Sequence, residues 1–101
     1  YYPLITEIEN FQKTIIDDNG LQKQIEIDLL GKNGKDILLV GECKFRDSKV
    51  DKEEFESFMA TVKYVNSKNP FVCMFSLAGY TDYVRENAKD VHLFAIEDMY
   101  E

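Results

Sequence analysis

Apolar residues fall into two rhythms along this chain of 101 residues, and each rhythm predicts a different element. Between Leu21 and Leu30, Ile25, Ile27 and Leu29 alternate with Gln24, Glu26 and Asp28. A period of two marks a strand with one covered face. Ile37 to Lys44 (Ile-Leu-Leu-Val-Gly-Glu-Cys-Lys) and Phe71 to Leu77 (Phe-Val-Cys-Met-Phe-Ser-Leu) are nearly continuous apolar runs. That is the pattern of strands buried on both faces. From Asp51 to about Ser67 the rhythm is helical, with Phe55, Phe58, Met59, Val62 and Val65 on one stripe. Asp51 followed by Glu54 is a capping signature, and Asn69-Pro70 stops the helix. A short helix over about Thr81 to Lys89 puts Tyr80, Tyr83, Val84 and Ala88 on one side, and Val91 to Ile96 reads as a last strand.

The opening segment carries both signals. Leu4, Ile5, Ile8, Phe11 and Ile15 recur at helical spacing, yet the segment runs into Asp17-Asp18-Asn19-Gly20. Asn-Gly between strand-like runs is the strongest short hairpin signal, which favours a bent or bulged strand returning through that turn. A loop from Gly31 to Asp36 then joins the next two strands as an antiparallel hairpin. A strand, a helix and another buried strand imply a right-handed crossover with parallel pairing. The expected fold class is α/β: a mixed sheet of about five strands, an antiparallel meander followed by a crossover helix to a parallel strand, flanked by two helices.

Alternation also groups the ionisable residues. Glu42 and Lys44 share a face with Leu38 and Val40, while Ile37, Leu39, Gly41, Cys43 and Phe45 take the other. Bringing Ile25, Ile27 and Leu29 together with Ile37, Leu39 and Cys43 requires opposed residue numbers with an even sum. Pairing Leu30 with Leu38 leaves a compact loop, sets Asp28 opposite Val40 and Glu26 opposite Glu42, and makes Asp28 a diagonal neighbour of Glu42. Glu26, Asp28, Glu42 and Lys44 then gather on one face. Charges at the end of an apolar strand are costly to desolvate, and carboxylates so close repel. A metal ion or a phosphate would offset the first cost, and a cation the second.

Composition narrows the class. A hydrophobic share of 45% and a charged share of 31% suit one globular domain spanning residues 1–101. No apolar run approaches the roughly 20 residues of a membrane span, and no signal-peptide pattern is present, so a cytoplasmic location is expected. The opening Tyr1-Tyr2-Pro3, without Met, suggests a domain cut from something longer. Cys43 and Cys73 sit in apolar runs outside any C-x-x-C and read as buried thiols. With His92 as the single histidine, triads and His-rich metal sites have little to draw on; His92 reads as structural. The net charge of -7 weakens a nucleic-acid reading, because phosphate binding is driven largely by Lys and Arg.

Taken together, the order of elements and the residues Glu26-Ile27-Asp28-Leu29-Leu30 and Glu42-Cys43-Lys44 resemble the PD-(D/E)XK nuclease superfamily, whose fold is restriction-endonuclease-like. More narrowly, Glu-Ile-Asp followed by Gly-Glu-Cys-Lys-Phe, the stretch Phe75 to Tyr80 and the closing Phe94 to Asp98 look like the nuclease-like domain at the C-terminus of prokaryotic P-loop ATPases. The resemblance covers most of the chain from about Ile5. It departs where Phe45 stands in place of a usual Trp, in the absence of a P-loop, and in the first core helix, which the chain is read as beginning after.

What the resemblance implies is a metal-dependent phosphodiester hydrolase, a Mg²⁺- or Mn²⁺-dependent endodeoxyribonuclease attached to an ATPase domain in the same chain. Asp28, Glu42 and Lys44 would be catalytic, with Asp28, Glu42 and the Cys43 carbonyl holding the metal; Glu26 would be accessory, supporting a second metal, or else sit outward as a solvated strand residue, the simpler role. Pairing of two copies would cut two strands. By position, Arg46, Lys49 and Lys52 follow the motif and suit phosphate contact, although a solvated loop is the simpler role for each. The competing expectation is a non-catalytic binding or regulatory module on the same fold. Tyr80 and Tyr83 suit base stacking, although packing of the short helix is the simpler role for both.

Overall fold

The computed structural model describes residues 5–65 and 68–96. Five strands and two helices follow one another as β1 (Glu7–Ile16), β2 (Gln22–Asn33), β3 (Asp36–Lys44), α1 (Lys52–Val62), β4 (Phe71–Ser76), α2 (Asp82–Asn87) and β5 (His92–Ala95). The strands lie in sequence order in a single sheet. β1, β2 and β3 pair antiparallel, whereas β3–β4 and β4–β5 are parallel. The expected five-stranded mixed sheet is therefore what the chain forms. Among the described residues no helix is long and apolar enough to cross a membrane. The expectations for the opening tyrosines and for Glu97 to Glu101 lie outside the described residues.

Local chemistry accounts for the turns and caps. Between β1 and β2 the Asp17 carboxylate accepts the N–H groups of Asn19 and Leu21, both at 2.9 Å, and Gly20 takes φ 77°. An Asx turn closed by a left-handed glycine resolves the ambiguous first segment in favour of a strand. Asp51 and Glu54 form the expected reciprocal capping box on α1. The helix is shorter than its apolar stripe. Tyr64 and Val65 donate to Thr61 and Val62, three residues back, at 3.0 Å. The last turn tightens to i→i−3 bonds and satisfies the terminal carbonyls, which ends α1 short of the expected length. α2 and β5 are likewise shorter than expected by two or three residues.

Both helices pack on one face of the sheet. There Ile27, Leu30, Val40, Val72 and Met74 meet Phe55 and Phe58 of α1 and Val84 of α2. Tyr80 is part of this core and not a stacking platform. Its hydroxyl lies 2.9 Å from the Met74 carbonyl and 2.7 Å from that of Phe94, tying β4 to β5. Tyr80→Phe is expected to cost about 1 kcal/mol, measurable as a lower denaturation midpoint at unchanged slope. The opposite face carries Leu29, Leu39, Cys43 and Cys73 with the stacked pairs Phe71–His92 and Phe75–Phe94. His92 is thus a packing residue at an exposed position.

Two irregularities correct the expected register. β2 and β3 align Leu30 with Val40 and Gly31 with Leu39, then Lys32 with Ile37, so Leu38 is an extra residue on β3. β1 and β2 align Phe11 with Ile27 but Glu9 with Leu30, which places another extra residue on β2 between Ile27 and Leu30. Such bulges reverse facing along a strand. Ile27 and Leu30, three apart, are both fully buried in the core, and Leu29 turns to the other face with Leu39 and Cys43. The expected Leu30–Leu38 pairing, with Asp28 opposite Val40, does not form.

Candidate functional site

The β2 bulge delivers Asp28 to the place where the β2–β3 ladder stops. The last ladder pair is Leu29 with Gly41. Beyond it the Cys43 N–H donates to Asp28 Oδ2 at 2.9 Å, so a side chain takes over from backbone pairing. Continuing the Leu30–Val40 register by two places puts Asp28 beside Glu42 itself, closer than the expected diagonal. On the β4 side Glu42 is flanked by Met74, which is fully buried. Glu42 therefore stands in the sheet between an acid and an apolar neighbour.

That position sets its acidity. Burial first, then the hydrogen bond and negative charge of Asp28, push the Glu42 carboxyl up to about 8 against the pull of Lys44, and Glu26 adds a smaller push. Asp28 moves the other way. The hydrogen bond with Glu42 holds it below the usual aspartate value, helped by the Cys43 N–H and Lys44 and opposed by burial. Near neutral pH the two side chains share one proton, carried by Glu42. The thiols are unreactive by the same physics. Burial, then the charges of Asp28 and Glu42, raise Cys43, and burial raises Cys73 to about 11, so neither supplies a thiolate nucleophile.

Lys44 completes the group from the end of β3. Its carbonyl accepts the Leu77 N–H at 3.0 Å, which fixes the strand end against the turn after β4. Its ammonium lies 3.8 Å from Glu54 Oε2, and Arg46 donates to Glu54 Oε1. Sequence reasoning reads Glu54 only as a capping residue. The signal for its second role is present all the same: the loop from β3 to α1 is short, so acids in the first turn of α1 return beside the end of β3.

The structure brings Asp28, Glu42, the Cys43 backbone and Lys44 together. Glu26 stands apart, exposed on β2, where Gln12 Nε2 donates to it at 3.5 Å. Arg46 is exposed and engaged with Glu54, and Lys49 is exposed in the loop before α1. Tyr83 lies on the surface of α2, its hydroxyl donating to Glu56 at 3.3 Å and its ring under Lys52. A cleft of about 660 Å³ bounded by Met59, Val62, Lys68, Phe71 and His92 lies at the opposite strand ends from Asp28 and Glu42. Among the described residues no three His, Cys, Asp or Glu side chains converge as a ready metal cage.

Set beside known proteins, the chain finds no match to a family model, a curated protein or a solved structure.

Proposed function

We propose that this domain is a metal-dependent nuclease-like module that hydrolyses phosphodiester bonds of nucleic acid, with DNA favoured, and works attached to an ATPase. The observation that carries the reading is the Asp28–Glu42 pair: two carboxylates where the β2–β3 ladder ends, with the Cys43 backbone on Asp28 and Lys44 two residues along the strand. Hard divalent cations need only one or two carboxylates and keep several waters. Two acids without a third therefore fit Mg²⁺ or Mn²⁺ and not a zinc cage. Asp28 and Glu42 would hold the ion. The N–H and C=O of one strand residue share an edge, so the Cys43 carbonyl lies on the edge that faces Asp28 and is the backbone donor at hand.

Bound there, such a cation supplies a water of lowered pKa and offsets phosphodiester charge. The chain's own residues do the rest. Asp28 and Glu42 would lose their shared proton on holding such an ion. Lys44 donates hydrogen bonds where negative charge builds in the transition state. Arg46 and Lys49 offer cationic contact to flanking phosphates.

The test is cleavage of linear, supercoiled and branched DNA, and of RNA, by the purified protein with Mg²⁺ or Mn²⁺. Asp28→Ala, Glu42→Ala and Lys44→Ala are each expected to lower the rate by about 100-fold or more. Absence of cleavage on every substrate with either ion would remove the reading. The net charge of -7 and the engagement of Lys44 and Arg46 by Glu54 favour a second one, a non-catalytic binding or regulatory module. On that reading the same three substitutions leave the protein's function in cells intact.

A further inference from the structure

Lys44 is placed between two sets of acids. Two residues beyond Glu42 on the same face of β3, it feels the charge of both Asp28 and Glu42. Its nearest carboxylate is nevertheless Glu54 Oε2 at 3.8 Å, on a different element. Glu54 is itself held from two sides. The Asp51 N–H reaches its Oε1 at 3.5 Å as half of the capping box, and Arg46 donates to the same oxygen. An acid pinned by a helix cap is a fixed anchor, whereas a lysine on a four-carbon stem follows the strongest field within reach.

From this geometry we infer that Glu54 is a positioning residue that keeps the Lys44 ammonium off the Asp28–Glu42 pair and so leaves that pair open to a divalent cation. The inference rests on the cation reading of the pair and adds a residue that the Asp, Glu and Lys constellation does not contain. Without the Glu54 charge, Lys44 folds back onto the Asp28–Glu42 pair, where Asp28 carries the charge, and occupies the space the ion needs. The capping box accepts Gln as well as Glu at this helix position. Glu54→Gln therefore removes the charge while keeping the cap, and α1 stays formed.

The experiment has two arms. A crystal structure of Glu54→Gln is expected to show Lys44 Nζ within hydrogen-bond distance of an Asp28 or Glu42 carboxylate oxygen; an ammonium left beside residue 54 overturns the inference. Calorimetry with Mn²⁺ is expected to give about tenfold weaker binding for Glu54→Gln than for the unaltered protein, with affinity regained in Glu54→Gln/Lys44→Met. Unchanged Mn²⁺ affinity in Glu54→Gln, or no recovery in the double variant, also overturns it. If the unaltered protein binds no Mn²⁺, the cation reading falls, and the position of Lys44 in the variant structure alone decides the role of Glu54.

Discussion

Glu42→Gln is expected to raise the melting temperature above about pH 8 by roughly 4–8 °C, the effect of about 1 kcal/mol in a domain of this size, and to leave it nearly unchanged at about pH 4.5. The sign follows from proton binding. In the unfolded chain Glu42 titrates at 4.5, and in the fold at about 8, so between those values the folded state holds more protons. Its contribution is complete below the unfolded value, declines as pH rises through the interval, and is gone above the folded value. The amide introduced by the substitution donates the same hydrogen bond to Asp28 at every pH and never carries the charge that burial and Asp28 oppose. Solvent at the open side of the site screens part of the repulsion, which keeps the expected gain near about 1 kcal/mol. Asp28 acts with the opposite sign: its lowered value contributes stability above the unfolded 3.8 that is lost as pH falls through the folded value.

The same variant separates the proposed cation from simple charge relief. Added Mn²⁺ at about pH 8 is expected to stabilise the unaltered protein, because an ion that binds the fold and not the unfolded chain raises its stability by mass action. In Glu42→Gln that gain should shrink to nearly nothing. Thermal melts of both proteins across pH, with and without Mn²⁺, carry the whole test. Equal stabilisation of both would sink the assignment of Glu42 as the residue that holds the ion.

Ser76→Ala is expected to cost about 2–3 kcal/mol, although it removes a single oxygen. Ser76 is fully buried at the end of β4; its hydroxyl donates to the Gly79 carbonyl at 2.8 Å and accepts the Gly79 N–H at 2.9 Å. Gly79 takes φ 90°, a conformation that favours glycine. The Gly79 carbonyl keeps a second donor, the Val50 N–H at 3.0 Å. The Gly79 N–H would be left buried without the hydroxyl, and an orphaned buried donor carries its full desolvation penalty. The loss reaches the site, because the same turn holds Lys44 through the Leu77 N–H and carries the Val50–Tyr80 bridge ahead of α1. Equilibrium denaturation should show the lower midpoint. Hydrogen exchange should show faster opening at Leu77 and Gly79 than at Ile25 or Ile27. An unchanged midpoint would mean that the turn is held by its backbone bonds alone.

Much of this was legible in single residues. Asn19-Gly20, the Asp51 and Glu54 pair, Asn69-Pro70 and the two apolar runs each act over a few positions, so the sequence by itself determined the order of elements, the parallel crossover, and the fact that Glu42 and Lys44 share a face. It also placed an acid, Asp28, on the strand next to them. What only the tertiary structure decided was the partner of each acid. Alternation assumes unbroken pleating, and an extra residue on β2 and another on β3 reverse it, so Leu30 and not Leu29 joins the core and Asp28 lies beside Glu42. No periodicity predicts a bulge, because its cost is met by contacts with other strands and with α1. The same holds for Glu54. Its local role as a cap was readable from the residue three places before it, but its grip on Lys44 and Arg46 exists only because the chain folds α1 back over the end of β3.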